Sequence, residues 1–287
     1  MLGEKSHLVF PVQSFRDWTD APVRLMEVWD SIVWLQECHQ GLHKYGPLHT
    51  NRLYGHVLHP HQGGYMHAFL ASTAYQNGTG ELILNPKRLR IEGIWGPAHE
   101  IGHMNQVTPF KWSGMGEVSN NVSSMYTRYH FGGESFLTLE NTYELALEHF
   151  VNKGILRAES NDAIYDKLLF IKLVPFWQLE LYFERIKGYT DFYADLYEHL
   201  RKNPNPATDA LCQLNFIKVA SDIGKTDLSE FFETVNLLKP GGFNITQQQV
   251  DTYKNNFANP SGFMKHRNAA AVYAISATGA EELVENW

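Results

Sequence analysis

Residues 93–106 read Gly93-Ile94-Trp95-Gly96-Pro97-Ala98-His99-Glu100-Ile101-Gly102-His103-Met104-Asn105-Gln106, and the reading of the chain turns on them. Gly96-Pro97 opens the run, and proline suits a first helical turn because its missing N–H has no intrahelical partner there. On the helix that follows, positions i and i+4 share one face. His99 and His103 can therefore reach one ion from adjacent turns, with the Glu100 carboxylate beside them.

This is the HExxH pattern of zincin peptidases. Zinc lowers the pKa of a bound water to about 7, so a carboxylate at position 100 can act as the base. A catalytic zinc needs a third protein ligand and an open fourth position. Glu117, at the start of the next helical stretch, is the candidate, and Thr108-Pro109 and Gly114 through Gly116 let the chain turn back between the two helices. Asn121 follows Glu117 by one helical turn and can accept a hydrogen bond from the non-ligating nitrogen of His99 or His103. Metal-bound histidines nearly always need such a partner. One Zn2+ is expected.

Outward from the motif, the texture changes near residue 95. Residues 1–95 form a mixed α/β N-terminal subdomain. They carry a helical stripe over about 20–44 (Val23, Met26, Val28, Trp29, Ile32, Val33, Leu35) and strand-like runs at Leu53–Leu58, Tyr65–Ala71 and Leu82–Leu84. Residues 96–287 read as a larger helical subdomain carrying the zinc site. Its segments lie near 97–106, 116–129, 140–152, 162–186, 190–201, 207–223, 227–237 and 246–257, with Gly154, Gly188 and Gly224 at expected stops. The fold class is α+β, mainly helical.

Composition removes several function classes. The 44% hydrophobic content supports a large core in 287 residues, and the 19% charged content argues against a disordered chain. Net charge is −7, and the few Lys and Arg are scattered, so no nucleic-acid partner is expected. No membrane span is expected either, because the most apolar stretch, Leu168–Trp177, is short and broken by Lys172 and Pro175. Met1–Lys5 lacks the apolar region of a secretory signal. Cys38 and Cys212 read as two independent thiols, and a monomer is expected.

Other residues carry open alternatives. Trp95 and Trp112 flank the metal helix and suit either sugar stacking or core packing. Tyr65–Ser72 is either an edge strand that binds an extended peptide by strand addition or an interior strand. His39, His43, His49, His56, His59, His61 and His67 crowd one region without i,i+4 spacing. They read chiefly as surface or loop histidines. Tyr126, Tyr129, His130, Tyr143 and Tyr182 are alternatives for stabilising an oxyanion, and Arg128 for contacting a substrate carboxylate or sugar.

The run Gly93–Gln106, with Trp112 and Glu117-Val118-Ser119-Asn120-Asn121 after it, resembles the M60-like, or enhancin-like, peptidases. Gly64-Tyr65-Met66-His67 resembles the family's segment ahead of the active-site helix. Leu181-Tyr182-Phe183 and Asp227-Leu228-Ser229-Glu230-Phe231-Phe232 resemble its helical region. The resemblance implies a gluzincin fold with Glu117 as the glutamate zinc ligand. It also implies a secreted or cell-surface endopeptidase acting on mucin-like, O-glycosylated proteins, with a sugar against Trp95 and substrate contacts at Tyr65 and His67. The alternatives are a zinc peptidase without glycan requirement, aminopeptidase-like, and a non-catalytic glycan-binding module on a peptidase scaffold. An intact Glu100 argues against the last.

Overall fold

The computed structural model describes residues 1–58, 64–69, 71–153, 165–240 and 245–257. Among the described residues the chain is mostly helical with one small mixed sheet. It gathers into two compact units. The first comprises Met1–Gln106 and Asn120–Ser135, the second Val107–Ser119 and Phe136–Trp287.

In the first unit, four short strands are β1 (Ser6–Val9), β2 (Leu53–Val57), β3 (Met66–Phe69) and β4 (Ser72–Tyr75). They lie in the order β1-β2-β4-β3, with β1, β2 and β4 parallel and β3 antiparallel at the edge. Side chains alternate across the pleat. One face presents Leu8, Leu53 and Tyr75 to the core, and the other carries His7, Tyr54, His56, His67 and Phe69.

The helix α1 (Pro22–His39) supplies the opposing wall through Leu25, Val28, Trp29, Ile32 and Val33. It ends where Gly41 takes a left-handed φ of 74°. The metal-motif helix α2 (Trp95–Met104) adds Ala98 and Ile101 to the same core. That shared apolar face groups α2 with the sheet. The grouping also takes in most of α3 (Gly116–His130).

The second unit is built on α4 (Leu168–Glu180), α5 (Phe192–Lys202), α6 (Asp209–Gly224), α7 (Ser229–Thr234) and α8 (Gln247–Phe257). Its core is aromatic. Phe110 stacks on Phe216 at 4.4 Å between ring centroids, and Trp112, Phe176 and Tyr197 close around them. Trp112 is 2% exposed, so it is a packing residue here. Thr208 caps α6 by accepting the Leu211 N–H at 3.2 Å.

Two expectations need correction, for Leu82–Leu84 and for His39. Leu82–Leu84 is no strand: Gly80–Ile83 is a helical turn that runs into Asn85, whose side chain caps the next turn. Helix α6 does end at Gly224, and the next residue, Lys225, takes the left-handed turn at φ 49°. Glycine is needed at 224 because a Cβ there would run into the Phe183 ring. His39 is no surface histidine but lies buried on α1, 4% exposed. His59, His61 and Gly154 fall outside the described residues. Cys38 and Cys212 are both free, and burial, with the Glu37 charge adding to it, pushes the Cys38 thiol up to about 11. No described helix is long and apolar enough to cross a membrane.

Candidate metal centre

A five-residue π turn, Leu89–Gly93, precedes α2. Such turns are rare and frequently sit at functional sites. From Trp95 onward the helix turns His99, Glu100 and His103 onto adjoining positions. One ligand atom from each lies within 4.8 Å of the others, and no other group of three or more His, Cys, Asp and Glu among the described residues comes together this way. Glu100 is buried at 5% exposure and both histidines are partly buried.

The imidazoles stand nearly perpendicular, 88° between planes, with their Nε2 atoms 3.1 Å apart. Each ring has an amide oxygen at its other nitrogen. Asn121 Oδ1 lies 2.7 Å from His99 Nδ1, and Gln106 Oε1 lies 3.1 Å from His103 Nδ1. An amide oxygen only accepts, so each of these two contacts suits the tautomer with its proton on Nδ1 and a lone pair on Nε2, while the Asn120 amide nitrogen also lies 3.1 Å from His99 Nδ1. Two nitrogens on a tetrahedral zinc at 2.0–2.1 Å sit about 3.3 Å apart, so the observed pair fits the ion closely.

Sequence reasoning missed two of these contributors. Asn120 is buried, and its amide nitrogen lies 3.3 Å from the His99 carbonyl oxygen and 3.1 Å from His103 Nε2. Gln106 sits just past the C-terminal end of α2. Both stood within the run that carries the family resemblance, yet spacing alone gives neither a role. Helix α3 comes this close because Gly102 has no side chain. A Cβ there would lie 2.7 Å from the Asn120 backbone oxygen.

The remaining expected site residues are placed as follows. Glu117 is an exposed residue in the first turn of α3, one turn ahead of Asn121. Trp95 is the first residue of α2 and partly buried. Tyr65 is 58% exposed just ahead of β3, and its carbonyl accepts the Gln76 N–H at 2.9 Å. Strand β3 lies at the sheet edge and packs against α2, with Met66 seated on Gly96. His67, the next residue, is on the opposite face of the sheet. Among the other histidines, His43 pairs with the buried Glu37 at 3.1 Å and His49 bonds Asn105 at 2.8 Å. Tyr126 stacks on His39 and packs against His130 at a tilt. Arg128 is buried and donates to the Glu134 carbonyl, while Tyr143 and Tyr182 are buried in the second unit.

Comparison with known proteins follows the same lines. The family model described as "Peptidase M60, enhancin and enhancin-like" matches residues 1–236. No curated protein matches the chain. Among solved structures, a functionally unknown conserved protein (mutant) from Bacillus anthracis is similar at 26% identity and TM-score 0.73, over 89% of this chain and 50% of that one. A metallopeptidase from Bacteroides thetaiotaomicron is similar at 23% identity and TM-score 0.72, over 93% of this chain and 47% of that one. A metallopeptidase in complex with Tn antigen is similar at 23% identity and TM-score 0.73, over 93% and 51%. The chain thus spans about half the length of these solved relatives.

Proposed function

The chain belongs to the family of M60 peptidases, enhancin and enhancin-like, and on that premise we propose that it is a zinc-dependent endopeptidase acting on O-glycosylated, mucin-like proteins outside the cell. The observation that carries the reading is the convergent His99–His103 nitrogen pair with Glu100 buried beside it. His99, His103 and Glu117 are the proposed ligands of one zinc ion. Zinc held there supplies a Lewis acid that polarises the scissile carbonyl and acidifies the attacking water.

The chain's own residues do the rest. Asn121 and Gln106 each set an amide oxygen at an Nδ1, which favours the tautomer whose Nε2 can ligate the ion. Glu100 accepts the proton of the attacking water and passes it to the departing amine. The β3 edge accepts an extended substrate by strand addition, with Tyr65 at its start. His67 contributes there through its main chain, because its side chain is on the sheet face turned from α2.

Trp95 begins the helix one turn before His99, where an indole can lie against a sugar on the substrate. The relative solved with Tn antigen supports a glycan as part of the substrate. Paired peptides with and without an O-linked sugar test the reading. Preferential cleavage of the glycopeptide is expected. Equal cleavage of both, or trimming from the amino terminus, would point to an ordinary zinc peptidase. Binding without cleavage would point to a glycan-binding module.

A further inference from the structure

We infer that Gln36 is a positioning residue for the metal centre: its side-chain amide on α1 ties α2 to α3 at the separation their site contacts require. The inference rests on the metallopeptidase reading above. Gln36 is fully buried. One N–H of its amide donates to the Ala98 carbonyl at 3.0 Å, the residue immediately before His99. The other donates to Thr127 Oγ1 on α3 at 3.1 Å. Thr127 spends its own proton on the Ser123 carbonyl at 2.8 Å, which leaves a lone pair facing Gln36. A second tie between α1 and α3 runs through Ser123, whose hydroxyl accepts from Gln40 at 3.1 Å and lies 2.9 Å from His39 Nδ1.

The geometry separates positioning from packing. Inside a helix the Ala98 carbonyl also takes the Gly102 N–H, and Thr127 keeps its bond to Ser123. A hydrocarbon-like side chain at 36 thus leaves neither partner orphaned, and α1 keeps its apolar face on the core. What is lost is a group that touches both site-bearing helices at once. The Asn121 contact to His99 Nδ1 at 2.7 Å and the Asn120 contact to the His99 carbonyl at 3.3 Å depend on that separation.

The test is Gln36→Met, which keeps length and volume and removes both donors. We expect cooperative unfolding and wild-type circular dichroism. Zinc Kd by chelator competition should rise about tenfold, the lower end of what outer partners of metal-bound histidines cost. The visible absorption of the cobalt-substituted protein should change shape. Thr127→Val should act in the same direction and Thr127→Ser should behave as wild type, so this pair decides the matter if Gln36→Met does not fold. Wild-type zinc affinity and cobalt spectrum in the Gln36 and Thr127 variants would overturn the inference alone. A wild-type protein that binds neither metal would overturn the metallopeptidase reading, and this inference with it.

Discussion

The closest test of how the two site helices meet is Gly102→Ala. The added methyl would sit 2.7 Å from the Asn120 backbone oxygen and 3.1 Å from Asn120 Cβ. Ordinary contact begins near 3.4 Å, so the helices must part by about 3.4 − 2.7 = 0.7 Å. A backbone oxygen cannot swing aside as a side chain can. Overpacking of this kind costs about 1–3 kcal/mol. The same displacement would lengthen the 2.7 Å His99–Asn121 bond to about 3.4 Å, past the useful range. Loss of that partner should weaken zinc binding by about 10–100-fold. Thermal unfolding and chelator competition on one preparation read both effects. Gly96→Ala is the control, because there the new methyl meets only the flexible end of Met66. Its zinc affinity should stay within a few-fold of wild type. Wild-type zinc affinity in Gly102→Ala would refute the view that α2–α3 contact distance sets the site.

Other outcomes follow from the same geometry. His103→Ala should lose bound zinc by metal analysis of the purified protein, and equal zinc content in both proteins would contradict the ligand assignment. Trp95→Ala should lower kcat/KM on the glycopeptide by about tenfold with zinc content unchanged, taking the indole as worth on the order of 1 kcal/mol or more. Equal losses on glycosylated and bare peptide would make Trp95 a packing residue. Phe216→Ala, at the centre of the second unit's aromatic core, should cost about 3–5 kcal/mol in denaturant unfolding.

Much of this was legible because helical spacing is rigid. The i,i+4 relation alone puts His99 beside His103, and the same relation puts Asn121 one turn past Glu117. Amphipathic stripes likewise gave α1 and the long helices to within a few residues. The rest depended on three-dimensional partners that no local pattern encodes. Asn120 and Gln36 act through backbone carbonyls of another helix, which leaves no periodic trace in the sequence. Strands β1 and β4 are four residues long, and Ser72-Thr73-Ala74-Tyr75 lacks a clear apolar alternation. The Leu82–Leu84 run is apolar because it packs into the core from a helical turn, and short apolar runs cannot distinguish the two. Gly224 does mark the end of α6, but the further constraint on it comes from a ring forty-one positions earlier.

The central claim is that the buried carboxylate beside the histidine pair serves as the base of a zinc peptidase. Glu100→Gln keeps the side chain's shape and removes its basicity. Zinc content and hydrolysis of an O-glycosylated peptide should be measured together on wild type and variant. Zinc should be retained in both, with turnover in the variant lower by at least ~100-fold, the scale of losing a general base. Wild-type turnover in Glu100→Gln, with zinc in place, would contradict it.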